Sequence, residues 1–124
     1  MKKPEWIVPL FLIAALYDGI LGLIGIFAPA HLYNIFGVAL PNHMGYVQFP
    51  ALILIVFAIM FYNIAKDIRS NKNLIFYGIL LKASYCSVIF GHWSFGYIPF
   101  MWKPFVFFDL IFLIAFVFAD RSIK

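Results

Sequence analysis

Four long apolar stretches, at about residues 6–27, 46–65, 74–91 and 102–119, make up most of this 124-residue chain. A helix that crosses a bilayer needs about 20 mainly apolar residues. The first two stretches meet that length and the last two approach it. The hydrocarbon core offers no water to a backbone amide, so each stretch is expected to close its hydrogen bonds internally as a helix. Composition excludes a soluble alternative. The chain is 65% hydrophobic and 11% charged, with a mean hydropathy of +1.00, where an ordinary soluble chain is about 45–50% apolar and about 25% charged. The expected fold is therefore all-α: one integral membrane domain, a four-helix transmembrane bundle.

Lys2 and Lys3 precede the first apolar run, and Ala28-Pro29-Ala30 has the small-x-small form of a signal-peptide cleavage site. The run from Trp6 to Phe27 is longer than the roughly 7–15 residues of a signal core, and Pro29 falls inside the would-be site. The first helix is expected to stay with the protein.

Basic residues set the expected direction of the crossings. Lys2 and Lys3 stand before the first span, Lys66, Arg69 and Lys72 between the second and third, and Arg121 and Lys124 after the fourth, while Lys103 alone stands on the other side. Loops rich in lysine and arginine stay on the cytoplasmic face. The expected placement is a multi-pass inner-membrane protein with both termini and the 66–73 segment, KDIRSNKN, cytoplasmic, that segment being an ordinary turn. The net charge of +4 carries no nucleic-acid partner, because these residues mark span ends instead of forming a stripe on one face.

In the long outer connection, Pro29 is placed to open a short helix and Gly37 to close it. Leu32, Tyr33, Ile35 and Phe36 give that helix an apolar surface, which places it in the membrane interface. Trp6, Tyr46, Trp93, Tyr97 and Trp102 lie near predicted span ends, where amphipathic rings anchor at head-group level. Cys86 is the only cysteine, so no intrachain disulfide is possible.

Three ionisable residues, Asp18, Lys82 and Asp109, interrupt three of the four spans. A charge at such depth is costly and faces a partner, a cavity or a ligand in preference to lipid. Counted from the cytoplasmic ends of their helices, they lie roughly 18, 12 and 15 Å deep at 1.5 Å per residue, close to one level. Ala14, Asp18, Gly22 and Gly25 share a face of small residues that lets a neighbouring helix approach. Gly78, Lys82, Tyr85 and Cys86 share a sector of the third span, and Phe105, Phe108, Phe112 and Leu113 make the surroundings of Asp109 dry. Two carboxylates and one ammonium leave a surplus negative charge, so one aspartate is expected to hold a proton. Two readings stay open: a structural ion pair or triad, with either aspartate or both on Lys82, or a site, with Tyr17 and Tyr85 beside it, for a proton or for a ligand's polar head. Pockets between helices of a bundle commonly take that second form.

A second polar group, His31, His43, Gln48, His92 and Lys103, gathers at the outer ends of the spans. Gln48 and Pro50 are placed to line the mouth of the site, Pro50 freeing a carbonyl one turn back, and His92 to gate it. No two histidines stand at i, i+3 or i+4 and no acidic residue or cysteine accompanies them, so no metal site is expected. There is no glycine-rich phosphate loop, HExxH or GxSxG, and no catalytic residue is assigned.

Tyr17-Asp18-Gly19 in the first span, the outer connection running to Phe36-Gly37-Val38, and His92-Trp93 after the third span resemble the DoxX-like family of small bacterial membrane proteins. Met101-Trp102-Lys103-Pro104 and Phe108-Asp109-Leu110 mark a branch of it. The resemblance implies a four-helix membrane bundle, which in some relatives is an accessory subunit of a quinone-linked sulfur-oxidising complex. It transfers no redox residue to this chain.

The expected function is binding or accessory: a pocket at Asp18, Lys82 and Asp109 for a small amphipathic, quinone-like or lipid-like ligand, or for a membrane partner subunit, with a homo-oligomer as a further possibility and no required cofactor. The alternatives are a small proton-linked transporter and a subunit of a membrane redox complex.

Overall fold

The apolar runs close into helices in the computed structural model, which describes residues 5–123. These are α1 (Ile7–Phe27), α2 (Pro29–Ile35), α3 (Gly45–Lys66), α4 (Lys72–Phe95) and α5 (Trp102–Ser122), and no strand occurs among the described residues. Helices α1, α3, α4 and α5 have 21, 22, 24 and 21 residues and are each long and apolar enough to cross a membrane. The protein is an all-α, multi-pass four-helix bundle with one short extra helix. Lys2, Lys3 and Lys124, three of the expected topology markers, lie outside the described residues.

The last two spans are longer than their apolar runs. Helix α4 starts at Lys72 and continues through His92, and α5 continues through Asp120 and Arg121. Polar end turns are invisible to hydropathy yet keep the helical hydrogen bonds. Here the ends are also joined, because Lys72 Nζ lies 3.2 Å from Asp120 Oδ1. The 66–73 segment is more than a solvated turn: Ile68 is buried in the core, while Asn71 Nδ2 donates to the carbonyls of Asn63 at 2.8 Å and Asp67 at 3.1 Å. The polar residues of the segment cap α3 and its one isoleucine returns inward.

Helix α2 begins on Pro29, and Gly37 ends it with φ +67°, a left-handed conformation that an L side chain resists. The Val38 amide donates to the Tyr33 carbonyl at 3.0 Å and the Gly37 amide to that of Asn34 at 3.1 Å. These two bonds form a Schellman motif. The chain after α2 is thus turned back, and the Phe36 ring comes to 6.3 Å from both Phe100 and Phe105.

The small-residue face of α1 is buried as its spacing predicts: Ala14, Asp18, Gly22 and Gly25 all point inward, and α1 packs most extensively on α3. A Cβ on Gly22 would fall 2.6 Å from Ile55 Cγ1 and 2.7 Å from the Ala51 carbonyl oxygen, and one on Gly25 would fall 2.7 Å from Ala51 Cβ. Close approach without side chains gains dispersion contacts where lipid supplies no hydrophobic drive. Helix α4 packs chiefly on α5. The bundle is two helix pairs set side by side.

All four long helices meet only at the end that carries the 67–71 turn. There Phe11, Phe61 and Phe116 form the centre of the core, with Phe11 stacked on Phe116 at 4.8 Å and Phe61 5.2 Å from Phe116. Toward the α2 end the packing divides. A second core cluster, Cys86, Ile89, Ile98 and Val106, joins α4, α5 and the loop between them without α1 or α3. Between that cluster and the α1–α3 pair lies open space.

Candidate functional site

The three membrane charges meet at the level where the shared core ends. Lys82 Nζ lies 2.9 Å from Asp18 Oδ1, 3.1 Å from Asp18 Oδ2 and 3.1 Å from Asp109 Oδ1. Asp18 and Lys82 are each 1% exposed and Asp109 9%, and they are the only buried charged residues among those described. The pairing that spacing left open is resolved: Lys82 holds both aspartates, donating to both oxygens of Asp18 and one of Asp109. Its three hydrogens are all used.

Aromatic rings surround the ammonium. Its nitrogen is 5.1 Å from the ring centre of Phe112, 5.3 Å from that of Tyr17 and 5.9 Å from that of Phe61. Ring faces attract a cation at this range, and a dry setting strengthens each charge-assisted bond. Phe61 comes from α3, the one span with no charge at this depth. It reaches Lys82 because Gly78 leaves room, a Cβ there falling 2.7 Å from Phe61 Cε1. Tyr17 is held in turn by Phe105, Phe108 and Phe112 of α5, with ring centres 6.5, 5.9 and 5.4 Å away.

The open space above the triad is a cavity of about 320 Å³. Toward the α2 end its wall consists of Leu32, Tyr33, Tyr46, Val47, Pro50, Met101 and Trp102, and at its inner end of Tyr17, Asp18, Leu81, Tyr85 and Asp109, with Leu21, Gly25, Ala51, Leu54 and Phe105 between. Every helix contributes. Proline at 50 has no amide to give the Tyr46 carbonyl one turn back, and both residues are in the wall. Burial raises the pKa of the Tyr33 phenol above its ordinary value, so it stays a neutral hydroxyl.

Lys82 is absent from this wall. The pocket expected to centre on three charges presents two of them, the carboxylates, with the ammonium behind. Asp109 bonds Lys82 through Oδ1 alone, its side chain keeps 12% exposure, and its Oδ2 makes no hydrogen bond among the described residues. The Tyr17 hydroxyl is buried with no partner, the one such side-chain atom among the described residues. Tyr85 donates to the Trp102 carbonyl at a long 3.4 Å. Counted at their ordinary charges, the three ionic groups carry a net charge of minus one.

The outer polar residues stand apart from the cavity. Gln48 and His92 are exposed, the His43 Nδ1 accepts from the Gly45 amide at 2.9 Å, and Lys103 Nζ sits 4.9 Å over the Trp93 ring. None of the four, nor His31, lines the cavity. Helical spacing explains Gln48: Val47, Ala51, Leu54, Ala58 and Phe61 form the inward face of α3, and Gln48 is a hundred degrees off it. That same spacing was the available signal for the α3 contribution. No three histidine, cysteine or acidic side chains among the described residues are grouped to hold a metal ion.

No family model, curated protein or solved structure matches the chain. Function is read from the site itself.

Proposed function

We propose that this protein binds a small amphipathic or lipid-like molecule inside the bilayer, as a binding or accessory protein. The apolar body lies along the aromatic and aliphatic wall, and the polar head rests on Asp18 and Asp109. One observation carries the reading: a cavity of about 320 Å³ ends on the only buried charges among the described residues. Small-molecule sites are commonly cavities of about 300–1,000 Å³ with apolar walls and a few convergent polar groups. A purely structural triad needs no such space beside it.

Native mass spectrometry of the chain released from mild detergent tests this. A retained small molecule is expected on the wild type and is lost from the cavity-narrowing Leu54→Trp, and its mass separates a lipid from a quinone. A protein that carries nothing in either form contradicts the reading.

A second reading, proton-linked transport, is favoured by the free Asp109 Oδ2 and the surplus negative charge of the triad, which a proton would neutralise. It predicts solute flux in proteoliposomes driven by a pH gradient and abolished by Asp109→Asn. No flux across a broad solute panel counts against it.

The orientation belongs to the same proposal: inner membrane, termini cytoplasmic. Its support is the gathering of Lys66, Arg69, Lys72 and Arg121 at one end of the bundle, with Lys103 alone at the other. Ser122→Cys in a Cys86→Ser background should label with an impermeant maleimide only in inverted vesicles. Labelling in intact cells would reverse the assignment.

A further inference from the structure

Resting on the ligand-binding reading, the site also discriminates between head groups. We infer that the guest is an organic cation, a primary alkylammonium whose nitrogen is held by Asp109 Oδ2 and the Tyr17 hydroxyl.

Lys82 has no hydrogen to spare for a guest. Its three hydrogens point to three carboxylate oxygens at 2.9, 3.1 and 3.1 Å, and it lies outside the cavity wall. A carboxylate, phosphate or sulfate entering the cavity meets no available cation. The other cation at the α2 end, Lys103, sits over Trp93 and is likewise outside the wall. An anionic head would meet two carboxylates instead, and like charges in a dry site repel strongly.

An ammonium meets the opposite conditions. Counted at ordinary charges, the triad carries one negative charge more than positive, and a monocation, like a proton, brings the buried cluster to neutrality. Two polar atoms are left to receive it: Asp109 Oδ2, on a side chain that keeps 12% exposure, and the buried, unpartnered Tyr17 hydroxyl. Both residues belong to the inner end of the cavity wall, and both flank Lys82, whose Nζ is 3.1 Å from Asp109 Oδ1 and 5.3 Å from the Tyr17 ring centre. An ammonium has three donors and no acceptor. It can satisfy both atoms, and the Tyr17 hydroxyl then gains the partner it lacks. Tyr85, Trp102 and Phe105 add aromatic surface to the same wall, which suits a cation near its face and an alkyl chain beyond it.

The test uses the full chain in a neutral sugar detergent, incubated separately with decylammonium, decyl sulfate and decanol at equal concentration and read by native mass spectrometry. Decylammonium is expected to be retained about tenfold more than decanol, the value of one charge-assisted hydrogen bond, with decyl sulfate at background. Asp109→Asn and Tyr17→Phe should each reduce decylammonium retention and leave decanol unchanged. Should Asp109→Asn fail to fold, the comparison of head groups on the wild type and on Tyr17→Phe still decides. Equal retention of the three probes, or a preference for decyl sulfate, overturns the head-group assignment while leaving the cavity as a ligand site. Retention of none of them above the level of Leu54→Trp overturns both.

Discussion

Lys82 Nζ lies 2.9 Å from Asp18 Oδ1 across 64 positions of sequence, and the same nitrogen reaches Asp109 at 3.1 Å. That one side chain therefore joins the α1–α3 pair to the α4–α5 pair at the level where their shared core stops. Removing it alone leaves two buried carboxylates facing each other, and breaking such a pair costs about 3–5 kcal/mol. Lys82→Met should lose that much stability in denaturant titrations in detergent. Replacing all three, Lys82→Met with Asp18→Leu and Asp109→Leu, should restore stability to the wild-type level or above, because desolvation of the ions vanishes with them, and should abolish ligand retention. A triple variant less stable than Lys82→Met would contradict this.

Tyr17 gives the complementary case. A buried hydroxyl without a partner costs about 1–3 kcal/mol, and its ring is held independently by three phenylalanines. Tyr17→Phe should raise the thermal midpoint of the ligand-free protein, by the equivalent of about 1 kcal/mol, and weaken ligand binding. Lower stability would mean that the hydroxyl has a structural partner in the membrane.

Close α1–α3 packing depends on Gly22. A Cβ there meets the Ala51 carbonyl oxygen at 2.7 Å, and backbone cannot swing aside. Gly22→Val should cost about 1–3 kcal/mol, the usual penalty of overpacking, whereas Gly91→Ala, with nothing within 4 Å of the added carbon, should be neutral or slightly stabilising. Thermal denaturation in one detergent compares them directly.

Phe116 and Phe118 separate the inner face of α5 from its outer face. Phe116 is fully buried and stacked on Phe11, while Phe118 is 61% exposed. Phe116→Ala should cost about 3–5 kcal/mol, as large core truncations do, and Phe118→Ala less than about 1 kcal/mol. Equal losses would place Phe118 against a second copy of the chain.

These contrasts show which parts of the molecule were readable in its sequence. The four spans follow from apolar length. The α2 boundaries follow from Pro29 and Gly37, and the inward face of α1 from the spacing of Ala14, Asp18, Gly22 and Gly25. The depth of Asp18, Lys82 and Asp109 follows from counting turns. Hydropathy hid the polar turns of Lys72–Asn73, His92–Ser94 and Asp120–Arg121, since helix formation there rests on backbone bonds and end contacts. It also hid the α3 wall, where Val47, Ala51 and Leu54 carry no charge to mark them. That Lys82 stands behind the carboxylates was beyond any pattern, because it depends on the interhelical distances that Gly78 and Phe61 set. Gln48 and the histidines attract notice by chemistry alone, and helical phase places Gln48 off the inward face.

Trp102, in the wall of the cavity above Asp18 and Asp109, is placed to report an amphipathic guest there. In a Trp6→Phe, Trp93→Phe chain, Trp102 fluorescence is titrated with a bromoalkyl ammonium amphiphile in neutral micelles. Occupancy predicts quenching that saturates at one equivalent per binding site and is weakened by Asp109→Asn. Quenching that rises in proportion to amphiphile, as for a tryptophan ester dissolved in the same micelles, would contradict it.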